Sequence, residues 1–308
     1  MVGADPERLY EMDSDVPELT GSVLLYHLDG FIDAGSAGSV LADHLCDELP
    51  GRVVARFDTD RLVDYRSRRP PMTYSVDRWT EYRAPELTVR LAHDLDGNPL
   101  LLLRGPEPDH EWERFADAVG SLVERWGVRL GVNYHGIPMG VPHTRPLGVT
   151  AHGTRDELLT GHRSTFGQVR IPGSAAALVE LRLGQRGHDV LGFAAHVPHY
   201  LAQTRYPAAA VTLLDAVTSA TGLRLPGEAL REAAARVDAE VARQVADSAE
   251  AADVVAALER QYDAFAAASA EGGNLLADET DMPTGEELAS QFERFLAEQQ
   301  RGDEQGDS

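Results

Sequence analysis

The stretch Ile171 to Tyr200, IPGSAAALVELRLGQRGHDVLGFAAHVPHY, constrains the fold more than any other part of the chain. It reads as a loop, a helix over Ser174 to Leu183, a tight turn, a strand over Asp189 to Ala194, and a second loop rich in Pro and His. A helix feeding a buried strand through a short glycine turn is half of an α/β unit. In such units ligands sit where the chain leaves the carboxyl end of the strand.

The same alternation runs through the preceding sequence. Ser22 to Leu28 is an apolar run suited to a buried strand. Gly30 to Gly35 form a turn, and Val40, Leu41, Leu45 and Leu49 then recur near helical spacing until Pro50-Gly51. Val53 to Phe57 predicts a second strand, and Leu87 to Ala92 with Leu100 to Leu103 flank the hairpin signal Asp96-Gly97. Trp112, Phe115, Val119, Leu122 and Trp126 line one face of a helix over Glu111 to Trp126. Val128 to Tyr134 and Gly148 to Ala151 predict further strands, and a helix over Ala208 to Thr221 ends at Gly222. Beyond Pro226, apolar stripes recur at steps of three or four: Leu230, Ala234, Val237, Val241 and Val245, then Val254, Leu258, Tyr262 and Phe265. They predict two helices folded back as a hairpin with a coiled-coil-like seam. Leu288, Phe292 and Phe295 predict a short final helix. The expected organisation is a flexible N-terminus over residues 1–20, an α/β domain over 21–225 with a mainly parallel sheet and helices on both faces, a helical extension over 226–301 and a disordered tail over 302–308.

Composition narrows the function classes. An apolar content of 43% over 308 residues supports a sizeable core. No apolar run approaches the roughly 18 residues of a membrane helix. The acidic N-terminus lacks the apolar region of a secretory signal, so a cytoplasmic protein with no membrane partner is expected. The net charge is −22, and from Pro226 onward 20 acidic residues face only 6 arginines, which argues against nucleic acid as a partner. Every basic residue is Arg, which excludes lysine Schiff-base chemistry and the lysine of a phosphate-binding P-loop. The single Cys46 excludes an intrachain disulfide and an all-cysteine metal site, and no metal or cofactor is expected.

Candidate ligand-binding residues cluster at predicted strand ends. Asp33 precedes Gly35-Ser36-Ala37-Gly38, where a helix begins; this is an anion cradle or, more simply, a helix cap made by Asp33 or Ser36. Arg104 and Glu107 lie in Arg104-Gly105-Pro106-Glu107-Pro108-Asp109. His143, Thr144 and Arg145 follow a strand in a proline-stiffened loop and have the chemistry to grip an anion. The structural alternative pairs Arg145 with a carboxylate such as Glu107. His196 and His199 flank Pro198, which favours an extended loop over a metal-binding helical spacing. Between Asp60 and Arg83, arginines alternate with Tyr65, Tyr74, Trp79 and Tyr82, while nearby acids nearly cancel the charge. That mixture favours a protein interface.

Taken together, Gly30-Phe31-Ile32-Asp33-Ala34-Gly35, the Arg104 to Asp109 loop, Gly136-Ile137-Pro138 through Arg145-Pro146, and Pro172-Gly173-Ser174 through His199-Tyr200 resemble the proteasome assembly chaperone 2 family in its actinobacterial branch. The resemblance covers roughly Leu19 to Leu225. It implies a three-layer α/β/α domain similar to purine nucleoside phosphorylases, homo-oligomers that are often trimeric, and proteasome subunits as partners. It implies no catalytic residue set. The sequence ends Gln305-Gly306-Asp307-Ser308, without the hydrophobic-Tyr-any motif through which some relatives dock, so tail insertion into a proteasome ring is not expected. The leading expectation is a non-enzymatic assembly factor or scaffold. The alternative is a small-molecule or nucleotide-binding enzyme in which Asp33, Arg104, Glu107, His143 and Arg145 converge on one pocket.

Overall fold

The computed structural model describes residues 9–161 and 168–270. In chain order the elements are β1 (Tyr10–Met12), β2 (Val23–Asp29), α1 (Ala37–Glu48), β3 (Gly51–Phe57), α2 (Thr59–Leu62), β4 (Met72–Ser75), β5 (Arg78–Tyr82), β6 (Thr88–His93), β7 (Pro99–Pro106), α3 (Trp112–Trp126), β8 (Leu130–Met139), β9 (Val149–Gly153), α4 (Ala175–Gln185), β10 (Val190–Pro198), α5 (Pro207–Thr221), α6 (Glu228–Ala246) and α7 (Ala249–Ala270). Among the described residues, 9–161 with 172–262 form one compact unit, and 168–171 with 263–270 belong to a second. The predicted helix around Phe292 and the tail beyond Gly302 lie outside the described residues.

Eight strands form one sheet in the order β1-β3-β6-β7-β2-β8-β10-β9. Its centre, β7-β2-β8-β10, is parallel. The flanking pairs are antiparallel, so the sheet as a whole is mixed. The β6–β7 hairpin turns at Asp96-Gly97, where Gly97 has φ +85, a conformation glycine adopts without steric cost. The central strands are buried on both faces. Leu25, Val132, Tyr134, Phe193 and Val197 pack with α1 and α5 in one core. Leu24, Tyr26, Leu101, Phe115 and Val179 pack with α3 and α4 in the other. Two cores separated by one sheet make the α/β/α sandwich that the alternation of elements predicts.

Three segments depart from the sequence expectation. Residues 9–20, read as part of a flexible N-terminus, instead follow the sheet edge. Tyr10–Met12 pairs with β3, and Leu9 and Leu19 are buried. Only three residues form that strand, too few to show a period in sequence. The Arg- and aromatic-rich segment contains a separate two-stranded hairpin, β4–β5, exposed at every strand position. Finally, the seam expected between α6 and α7 does not form, because α6 packs along α5 instead. Leu230 and Val241 enter the α1/α5 core, with Val237 and Val245 against it. On α7 the buried position is Val255, while Val254, predicted for the seam, is exposed.

Candidate functional site

Asp33 sits in the turn between β2 and α1 and is committed to backbone. Its Oδ1 accepts from Gly38 N at 2.8 Å and Gly136 N at 2.9 Å. Its Oδ2 accepts from Ser39 N and Ser39 Oγ, both at 3.0 Å. It therefore caps the first turn of α1 and ties that turn to β8, the simpler of the two sequence readings. Ser36 makes no side-chain cap bond. Gly38 is required by proximity, since a Cβ there would fall on the His27 ring and the Tyr134 carbonyl.

His27, buried on β2, is the centre of this group. Its Nδ1 faces the Tyr134 carbonyl at 3.1 Å, and a carbonyl only accepts, so Nδ1 carries a proton. Its Nε2 lies 3.3 Å from Asp29 Oδ1, 3.7 Å from Asp33 Oδ2 and 3.2 Å from Ser39 Oγ. Burial disfavours the charged ring, but the Asp29 hydrogen bond, the two carboxylate charges and the Tyr134 carbonyl outweigh it and raise its pKa. Asp29 responds in kind: burial works against its charge, and His27 with Ser39 and Arg104 still hold its pKa below the usual value.

The other candidates have separate partners. Arg104 pairs with Asp43 on α1, which Arg205 also reaches at 3.2 Å. Glu107 accepts from Ala175 N at 2.6 Å, so its carboxylate sits at the N-terminus of α4 beside the Ser174 cap. Burial raises the Glu107 pKa against the opposing effects of Ala175 N–H and Arg68. Arg68 bonds to the backbone carbonyls of Asp29 and Glu107 and to the Asp109 carboxylate, joining these strand ends to the segment that carries β4–β5.

The His143 to Pro146 loop is held by α7. Thr144 Oγ1 and Arg145 both donate to Glu259, and Tyr262 Oη donates to the Pro146 carbonyl at 2.9 Å. Arg145 thus pairs with Glu259 on α7, not with Glu107. Tyr200 Oη lies 2.8 Å from His143 N and 2.7 Å from His143 Nδ1. The backbone N–H of His143 donates to that hydroxyl. Burial lowers the His143 pKa against the charges of Asp238 and Glu259. His196 Nε2 is 2.8 Å from Thr150 Oγ1, and burial lowers its pKa. His199 is exposed, with its ring edge-on to Tyr200.

Of the five residues expected in one pocket, Asp33 and Arg104 are held by α1, Glu107 by the N-terminus of α4, His143 by Tyr200 and Arg145 by α7. Sequence reasoning missed His27, Asp29, Ser39, Arg68 and Glu259. His27 hides inside an apolar run, and its signal was a lone titratable residue two positions from Asp29, on the same strand face. Among the described residues no group of three or more His, Cys, Asp or Glu is arranged to hold a metal ion. No helix among them is long and apolar enough to cross a membrane.

Architecture and strand-end loops define a three-layer α/β/α protein with added C-terminal helices. The PAC2 family model matches residues 27–245. The chain belongs to the PAC2 family. It is 48% identical to the Mycobacterium tuberculosis protein of unknown function Rv2714, over 85% of this chain and 91% of that one, with a TM-score of 0.81. A Corynebacterium glutamicum protein of unknown function is 39% identical over 83% of this chain and 98% of its own, with a TM-score of 0.78. The Mycobacterium tuberculosis proteasome-assembly chaperone homologue Rv2125 is 23% identical over 76% of this chain and 99% of its own, with a TM-score of 0.69, a likeness of fold. Comparison with the curated proteins gives no match.

Proposed function

We propose that the protein is a non-enzymatic, homo-oligomeric assembly factor or scaffold that acts on proteasome subunits, with hairpin β4–β5 as the surface through which copies associate. PAC2 membership supports the class, and the hairpin is the observation that carries the reading. An isolated two-stranded hairpin is marginal in water. This one exposes Met72, Tyr74, Trp79 and Tyr82, and Val76 at its tip is 95% exposed with φ +58. A β-branched residue in that region is strained. Neither the strain nor the exposed aromatics helps one protomer fold, which leaves contact with another chain as the physical use of the element. A trimer is the assembly expected.

The test pairs two measurements. Light scattering coupled to gel filtration should show an oligomer that becomes monomeric in Tyr74→Ser/Trp79→Ser, with the circular dichroism spectrum unchanged, since both side chains are exposed on the protomer. Native gels and pull-downs with the cognate 20S subunits should show binding or altered assembly. A monomeric wild type, or no effect on those subunits, would refute the respective half of the proposal.

A further inference from the structure

The sheet ends at β9, and the free side of that strand differs from the opposite edge. There β1 is three residues long, and a very short strand offers little to pair with. β9 has five residues in unbroken antiparallel register with β10, from Leu191 opposite Gly153 to Ala195 opposite Val149. Two bonds that bracket the strand fix the direction of its backbone groups. The Gly148 carbonyl accepts from His196 N, and Thr154 N donates to the Val190 carbonyl. Successive residues of an antiparallel strand point these groups alternately toward and away from the neighbour. Gly148, Thr150, His152 and Thr154 therefore face β10, while the N–H and C=O groups of Val149, Ala151 and Gly153 face outward. Among the described residues none of these outward groups has a hydrogen-bond partner.

The side chains of β9 are already engaged within the protomer. Val149 and Ala151 pack against the α1/α5 core. On the other face Thr150 Oγ1 lies 2.8 Å from His196 Nε2, and His152 Nδ1 lies 2.8 Å from Glu180 Oε1 on α4. What stays unused is the backbone edge itself. Free edges are ordinarily blunted by charge, proline or a bulge. From Val149 to Gly153 there is no Arg, Asp, Glu or Pro, and the register has no break.

We infer that β9 is a second association surface, and that its occupant is β9 of another copy, run antiparallel about a twofold axis at Ala151. That axis sets Ala151 opposite Ala151 and Val149 opposite Gly153. Outward groups then meet outward groups at every pair, and each pair exchanges two backbone hydrogen bonds. The flanks favour the same partner, because antiparallel pairing carries the start of one strand to the end of the other. Arg145 precedes β9, and Asp156 and Glu157 follow it, the Glu157 side chain being 77% exposed. Arg155 between them is taken up by Asp189 of its own protomer. The register continued outward sets Glu157 of one copy against Arg145 of the other at both ends. Between those ends the strand adds no acid to the repulsion of two chains at −22. Two five-residue strands make a small contact, of the weak and transient class. It acts at high concentration, or between oligomers that present several such edges at once. It is separate from β4–β5 and does not depend on that surface.

Sedimentation equilibrium of the full chain tests the pairing in the Tyr74→Ser/Trp79→Ser background, where β4–β5 no longer contributes. Dilute, this variant should have the mass of one copy, rising to that of two as concentration is raised. Adding Ala151→Pro should weaken the dimer at least about tenfold, because it takes a central N–H from both copies at once. β9 should stay on β10 with an unchanged circular dichroism spectrum, since proline is tolerated where the missing N–H faces solvent. Glu157→Arg should also weaken the dimer, by setting like charges together at both ends. Amide exchange gives an independent reading: Val149, Ala151 and Gly153 should gain protection as the dimer forms, with Thr150 and His152 protected throughout. A single-copy mass at every concentration, or a dimer equally strong in Ala151→Pro, would overturn the pairing. So would protection of the three outward amides in the monomer, which would mean that another segment of this chain covers the edge. Should Ala151→Pro not fold, Glu157→Arg and the amide pattern decide. If β4–β5 does not join copies, the same measurements apply to the wild type, so the two readings fail separately.

Discussion

Asp33 shows how one side chain connects distant parts of the chain. Replacing it by Ala leaves the Gly38, Ser39 and Gly136 N–H groups without their acceptor. The expected loss is about 3 kcal/mol, from the cost of stranding buried donors, and urea denaturation would read it; Asp33→Asn keeps one acceptor oxygen and should lose less. His27 makes a prediction with a sign. Folding raises its pKa, so the folded state binds the proton more tightly than the unfolded chain. That stabilisation is complete below the unfolded value of about 6.5 and fades as pH rises through the folded pKa. The stability difference between wild type and His27→Gln should therefore shrink as pH is raised from about 6 to 8; a difference that stays constant would refute the buried imidazolium. The helix-capping role of Asp33 was legible in sequence because caps are local. Its bond to Gly136 was not, nor was the Glu180–His152 pair, because both depend on which strands and helices become neighbours.

Among elements, α6 and α7 show why a stripe does not name its partner. Leu230, Ala234, Val237 and Val241 marked the correct face of α6, but periodicity reports only that a face is buried. That α6 covers α5 is a tertiary contact, which periodicity within one helix does not record. The elements of the α/β domain were legible where they are long and periodic, as in Trp112–Trp126, and lost where short, as in Tyr10–Met12. The loop after β8 gives a test at this scale. Arg145 and Glu259 are each about one-third exposed, so their pairing contributes little to global stability. Glu259→Ala should shift the unfolding free energy by under about 1 kcal/mol. It should nonetheless speed hydrogen exchange at His143 to Arg145, because two of the bonds holding that loop end on Glu259. Unchanged exchange would show that the loop does not depend on Glu259.

For the whole molecule, charge sets the conditions of assembly. Protomers at −22 repel one another, and salt screens that repulsion, with a Debye length of about 30 Å at 0.01 M and 8 Å at 0.15 M. If copies associate through the exposed aromatic side chains of β4–β5, their dissociation constant should fall as salt rises over that range, measurable by analytical ultracentrifugation; weakening with salt would point to an interface made of ion pairs. The strand order carries a further consequence in time. Val23 lies beside Leu100 on one side and Leu130 on the other. At a synthesis rate of about 5–20 residues per second, the apolar strand β2 waits roughly 5–20 s for both neighbours to be made. During that interval the ribosome-bound chain presents Val23-Leu24-Leu25-Tyr26 with nothing to pair against. The centre of the sheet is thus the part of the fold that forms last, although its first strand is among the first segments made.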